Sequence, residues 1–143
     1  MRYIPAEVRR VVNQRALERC EYCGLSQAGQ EATFHFDHIV PVTAGGQTTA
    51  KNLALACVSC SLRKAARQTA IDPLTREEVS VYHPRRERWS VHFRWEGVRV
   101  IGQTATGRAT VAALDMNRPL MLAIRQEEAN LGRHPPPSPA RVV

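Results

Sequence analysis

The 143-residue chain lacks any run of about 18 or more apolar residues, which excludes a helical membrane span. It also lacks the apolar N-terminal core of a secretory signal. The expected location is therefore cytoplasmic, where thiols stay reduced. No internal repeat is visible, so a solenoid or propeller is not expected. Lysine is scarce: of 20 basic residues only Lys51 and Lys64 are lysine, and the rest are arginine. GC-rich coding is a competing explanation of that ratio, but it leaves the charge in place. The formal net charge is +7, and a basic surface attracts polyanions, with arginine's planar fork matching phosphate. No membrane partner is expected.

Cysteine is also sparing, and all of it is used in one pattern. Cys20-Glu21-Tyr22-Cys23 and Cys57-Val58-Ser59-Cys60 are the two clips. Four thiolates in two such pairs make a tetrahedral zinc site, and a reducing compartment favours zinc over disulfides. A redox role for either pair is the remaining alternative, although thioredoxin-like motifs use one pair. Between the clips run Phe34-His35-Phe36-Asp37-His38-Ile39-Val40-Pro41, then Gly45-Gly46, then Asn52-Leu53. A zinc clamp would thus hold a loop carrying an acid, an imidazole and an amide.

The pattern predicts an α+β protein. Residues 5–19 read as a helix with Val8, Val11, Val12 and Leu17 on one face. Residues 33–69 read as strand, loop, strand and helix. In that helix Leu62, Ala65 and Ala66 are expected inside, with Arg63, Lys64 and Arg67 available outside. Val79 to Tyr82 is a candidate strand. Trp89 to Trp95 alternates as a strand, Glu96-Gly97 is a plausible turn, and Val98 to Gly102 is the partner strand. Two helices are expected over 108–117 and 118–131, with Asn117 as a cap. His134 to Val143 carries Pro135, Pro136, Pro137 and Pro139 and reads as a disordered tail. The expected domain layout is 1–70, 71–132 and a tail over 133–143.

The residues CEYC, FDHIVP, GG, NL and CVSC followed by SLRK, in this order, resemble the HNH endonucleases, the ββα-metal nucleases. The resemblance covers about residues 17–68. A softer likeness extends over 71–132 to an extension found on bacterial HNH proteins. The resemblance implies a zinc-clamped ββα-metal module with an N-terminal helix, followed by a C-terminal β-hairpin and short helices. It implies that Cys20, Cys23, Cys57 and Cys60 hold structural zinc. It implies further that Asp37 binds a catalytic Mg2+ or Mn2+, that His38 is the general base, and that Asn52 orients the base. The last family position falls on Ser61, where the family usually has Asn or His, and Ala65 stands where glycine is frequent. The implied substrate is DNA, cut to 5′-phosphate and 3′-hydroxyl.

The residue types suit that chemistry on their own account. A neutral imidazole takes a proton near pH 7, and a hard cation on a carboxylate relieves charge on phosphorus. The helix after Cys60 is expected to aim its amides at the same phosphate. Neighbours on a strand point to opposite faces, so Asp37 and His38 converge only where the strand breaks. For Ser61 three outcomes are open: it ligates weakly, His35 completes the cation's shell, or the module has lost catalysis and binds DNA alone. Arg63, Lys64, Arg67, Arg85, Arg86 and Arg88 are candidate phosphate contacts, with a solvated face as the alternative. Nothing in the sequence predicts contacts to base edges.

Overall fold

The computed structural model describes residues 3–137, in an α+β arrangement of five helices and three antiparallel strand pairs. Helix α1 runs over Ala6–Arg15 after Pro5, which presets the first turn. Val12 is fully buried and Val8 packs beside it, whereas Val11 and Leu17 are exposed. The helix is shorter than expected because Leu17 and Glu18 adopt left-handed backbone (φ 54° and 53°), turning the chain into the first clip.

Strand β1, His35–His38, pairs with β2, Leu53–Ala56, in the register His35↔Ala56, Phe36↔Leu55, Asp37↔Ala54 and His38↔Leu53. All four β2 side chains are buried. Helix α2, Val58–Lys64, follows at once and completes the strand–loop–strand–helix unit. It starts three residues earlier than expected, with Cys57 as its cap: the Cys57 sulfur accepts a hydrogen bond from Cys60 N–H. Its first turn therefore serves the clip, and no amide of that turn is assigned to a phosphate. Arg63 and Arg67 are outside, as expected, but the rest of the expected inside and outside is reversed. Leu62, Ala65 and Ala66 are exposed, and Lys64 is buried.

Beyond α2, strands β3 (Thr69–Ile71) and β4 (Glu78–Ser80) form a short hairpin; β4 starts one residue before the expected Val79–Tyr82 strand and ends two residues short of its end, and β3 is not expected from the sequence. Trp89–His92 is a helical turn, α3, so strand β5 is confined to Phe93–Glu96. Val91 is accordingly exposed and does not share a face with buried Phe93. Strand β6, Arg99–Gly102, pairs Arg99 with Glu96, which places the two-residue turn at Gly97-Val98, one position later than expected. Gly97 supplies the positive φ (62°) this turn needs. Helices α4 (Ala105–Ala113) and α5 (Pro119–Asn130) follow. Asn117 does not cap α5; its side chain accepts from Val100 N–H and donates to Val100 C=O, tying β6 to the α4–α5 connection.

One buried cluster unites the two halves of the sequence. It holds the four cysteines, Val12, Phe34 and Leu53 together with Tyr82, Phe93, Val100, Leu114, Met116 and Met121. Of the segment expected as a tail, Arg133 forms an ion pair with Glu128 and His134 stands edge-on against Trp95. Residues 138–143 lie outside the described residues.

A buried ion pair fastens β3 to α4. Asp72 accepts from Arg108 through both oxygens, at 3.0 and 2.9 Å, and from Thr75 and Leu74 N–H. These donors, Arg108 first, hold the Asp72 carboxyl well below the usual carboxylate range. Because its pKa is depressed in the folded state, the pair contributes stability above about pH 4, where the free carboxyl ionises. That contribution is lost as pH falls through the folded value. Denaturant unfolding measured from neutral to acidic pH is expected to show this loss, and Asp72→Asn is expected to flatten that part of the acid limb.

Candidate metal centre and polar site

The clips fold as two tight turns facing each other. In each, the second cysteine's N–H donates to the first cysteine's sulfur at 3.4 Å. All four sulfurs are buried and lie within 4.8 Å of one another. A tetrahedral zinc with Zn–S near 2.3 Å separates its sulfurs by about 3.8 Å. Cys23 and Cys57 sulfurs are 3.7 Å apart. The other three thiols, and burial after them, push the Cys60 thiol well above its ordinary value. A divalent soft-accepting cation is the group that lets four such sulfurs carry charge together, so the donor set fits zinc.

The sulfur cluster has neighbours that sequence reasoning missed. Arg125 of α5 is buried, donates to the carbonyls of Met116 (2.6 Å) and Val98 (2.9 Å), and lies over the Trp95 ring. Burial lowers its pKa, and the sulfurs of Cys23 and Cys60 work in the opposite direction. A guanidinium beside a tetrathiolate offsets part of its net negative charge. Glu21, inside the first clip, accepts from Leu55 N–H and forms an ion pair with Arg85. Arg85 is thereby committed to Glu21 and largely covered, unlike exposed Arg86 and Arg88. Trp89 donates its indole N–H to Tyr22 C=O at 2.8 Å.

The second polar group lies where β1 faces α2. His35 and Asp37 share that strand face. His35 Nδ1 is 2.9 Å from Ser61 Oγ. Asp37 is buried, and its Oδ2 accepts from Tyr22 O–H at 2.8 Å and from the Lys64 ammonium at 3.1 Å. Burial raises the Asp37 pKa, against the pull of Lys64 and Tyr22. Lys64 also donates to the His38 and Ile39 carbonyls at 3.2 and 3.3 Å. Tyr22 and Lys64 were both legible in principle: Tyr22 sits inside a clip, and Lys64 lies one helical turn after Ser61.

His38 lies at the other face of β1. It is the last paired residue, opposite Leu53, and its Nε2 is 2.9 Å from Thr48 Oγ1. The chain bends only after it, at Ile39 and Val40. The structure thus brings His35, Asp37, Ser61 and Lys64 together and sends His38 toward the loop. That loop is held by Asn52, which accepts from Val40 N–H and donates to the Val40 and Gln47 carbonyls. Gly46 has no room for a side chain, because a Cβ there would collide with the Val40 carbonyl. Arg63 and Arg67 are exposed on or just after α2.

A sulfur-clamped hairpin and helix carry an acid, two imidazoles and a loop-fixing amide. The HNH endonuclease family model matches residues 20–67, and the chemistry of that family is nuclease chemistry. No curated protein and no solved structure matches the chain.

If the cluster holds zinc, elemental analysis should find one ion per chain. Structural zinc contributes about 10–16 kcal/mol in small domains, as much as whole domains are stable by. Chelation is therefore expected to abolish the cooperative unfolding transition. Arg125→Met is expected to lose zinc to a chelator ~10-fold more readily than wild type, with Arg125→Lys in between.

Proposed function

We propose that the protein is a metal-dependent DNA endonuclease. Asp37 binds Mg2+ or Mn2+ with help from Ser61 or His35, and His38 is the general base. The observation that carries this reading is the family match over residues 20–67. Asp37 and His38 are adjacent at the end of β1. The two side chains leave opposite faces of β1, so one phosphate reaches both only at the strand's very end, where Ile39 and Val40 bend away. His38 takes the proton of the attacking water there, and Thr48 and the Asn52-braced loop hold the imidazole. A divalent cation bound at Asp37 would neutralise charge developing on the phosphate. Of the candidate phosphate contacts, Arg63, Arg67, Arg86 and Arg88 are exposed and available to the DNA backbone, and the protein acts in the cytoplasm. Products carry 5′-phosphate and 3′-hydroxyl.

A second reading, a catalytically silent zinc module that binds nucleic acid, is favoured by specific contacts. Ser61 replaces a stronger ligand and is engaged with His35, and Asp37 is matched by Lys64. Nicking of supercoiled plasmid with Mg2+, Mn2+ or EDTA separates the two. The nuclease reading expects cation-dependent cutting, reduced about 10²–10⁴-fold in His38→Ala and raised in Ser61→Asn. Undiminished cutting by His38→Ala rejects the base assignment. Salt-dependent DNA binding with no cutting by either wild type or Ser61→Asn establishes the silent module.

A further inference from the structure

Asp37 is the one carboxylate of the polar site, and its charge already has a partner inside the protein. The Lys64 ammonium stands 3.1 Å from Oδ2 and 3.4 Å from Oδ1. The same ammonium donates to the carbonyls of His38 and Ile39, and its side chain is 1 % exposed. Tyr22 adds a hydrogen bond to Oδ2. Four oxygens of β1 and the bend that follows it therefore surround one tethered cation. This is not a mobile surface lysine that swings away at little cost. It is held from the buried side of α2, one turn beyond Ser61.

The remaining donors bring no negative charge. His35 and Ser61 are an imidazole and a hydroxyl, already bonded to each other. An imidazole ligates a metal in its neutral form. Arg63 and Arg67, exposed on or just after the same helix, add positive charge. The protein alone thus presents a divalent cation with a carboxylate whose charge is offset, two neutral donors and a basic rim. Hard divalent cations are held chiefly by carboxylates and substrate phosphates, and Mg2+ in particular gives up its waters reluctantly. A phosphodiester entering at the strand end brings the anionic oxygen that the protein does not supply.

We infer that Lys64 makes divalent-cation binding at Asp37 conditional on a bound DNA phosphate: the tethered ammonium cancels the carboxylate's charge in the free protein, and the cation enters with the substrate. The inference deepens the reading of Asp37 as the cation's ligand and rests on it. Lys64 acts through Asp37 and the strand-end carbonyls, so it is a positioning residue. Coupling of this kind is reciprocal, so the cation also tightens DNA binding by the same factor.

The test is a Mn2+ titration of the full chain, zinc loaded, in a His38→Ala background that leaves the duplex uncut. Free Mn2+ is read by its paramagnetic resonance signal, with and without a short DNA duplex. The same titration in Asp37→Asn is subtracted to remove ions held by the duplex itself. The Asp37-dependent affinity is expected to rise ~10-fold or more when duplex is present. Lys64→Met is expected to bind Mn2+ tightly without duplex and to lose the coupling, and Lys64→Arg is expected to keep it. Lys64→Gln, which retains donors for the two carbonyls, replaces the methionine variant if that variant is unfolded by circular dichroism. Asp37-dependent binding that is equally tight with and without duplex overturns the inference while leaving Asp37 as a ligand. A duplex requirement that survives in the neutral Lys64 variants overturns it as well. Absence of Asp37-dependent Mn2+ in every form rejects the ligand assignment itself.

Discussion

The convergence of four sulfurs is the constraint on which the rest of the structure depends. It brings residues 20–23 against residues 57–60 and closes a loop that contains β1, the glycine turn and β2. Closing such a loop costs chain entropy that a short hairpin cannot recover alone. The same cysteines also set the neighbouring geometry. Cys57 starts α2 by accepting its first-turn N–H, which fixes where Ser61 and Lys64 fall on the helix. The first clip delivers Tyr22 to Asp37 and Glu21 to the β2 backbone. The acid on β1 and the lysine on α2 meet because both flanking turns are fixed.

The later part of the chain is fastened to this clamp by polar as well as apolar contacts. Arg85 reaches Glu21, Arg118 donates to Ser59, and Arg19 donates to the Arg133 carbonyl. Arg125 places a buried positive charge next to the sulfurs. Much of the arginine that the composition displays as net charge is therefore internal. Arg15, Arg85, Arg108 and Arg125 hold carbonyls or carboxylates, and each is at least partly covered. Arg85 and Arg108 cancel against Glu21 and Asp72 within the net charge, so of these four only Arg15 and Arg125 withdraw positive charge from the surface.

What could be read from the sequence was what spacing alone controls. Two Cys-x-x-Cys pairs can close on one metal whatever lies between them, and alternating Phe34 to Asp37 has one sensible pairing partner in the apolar Leu53–Ala56. What could not be read depended on tertiary partners. Trp89 to Trp95 alternates like a strand, yet its first half is helical and Trp89 is anchored to Tyr22. The face of α2 was misjudged because an aliphatic Leu62 suggests burial, whereas the carboxylate of Asp37 draws Lys64 inward and leaves Leu62 in solvent. Family spacing singles out Asp37, His38 and Asn52 as candidates. The pairing of Asp37 with Lys64 and Tyr22, and the Thr48 contact of His38, depend on the packing.

Trp89 and Trp95 are the only two tryptophans in the chain. Trp89 donates to the backbone of the first clip, and Trp95 packs on Gly24 at that clip's end while covering Arg125. Both indoles thus sit at the edge of the sulfur cluster and none sits elsewhere. Intrinsic fluorescence consequently gives a label-free optical gauge of this one locality, in which emission follows the state of the clamp.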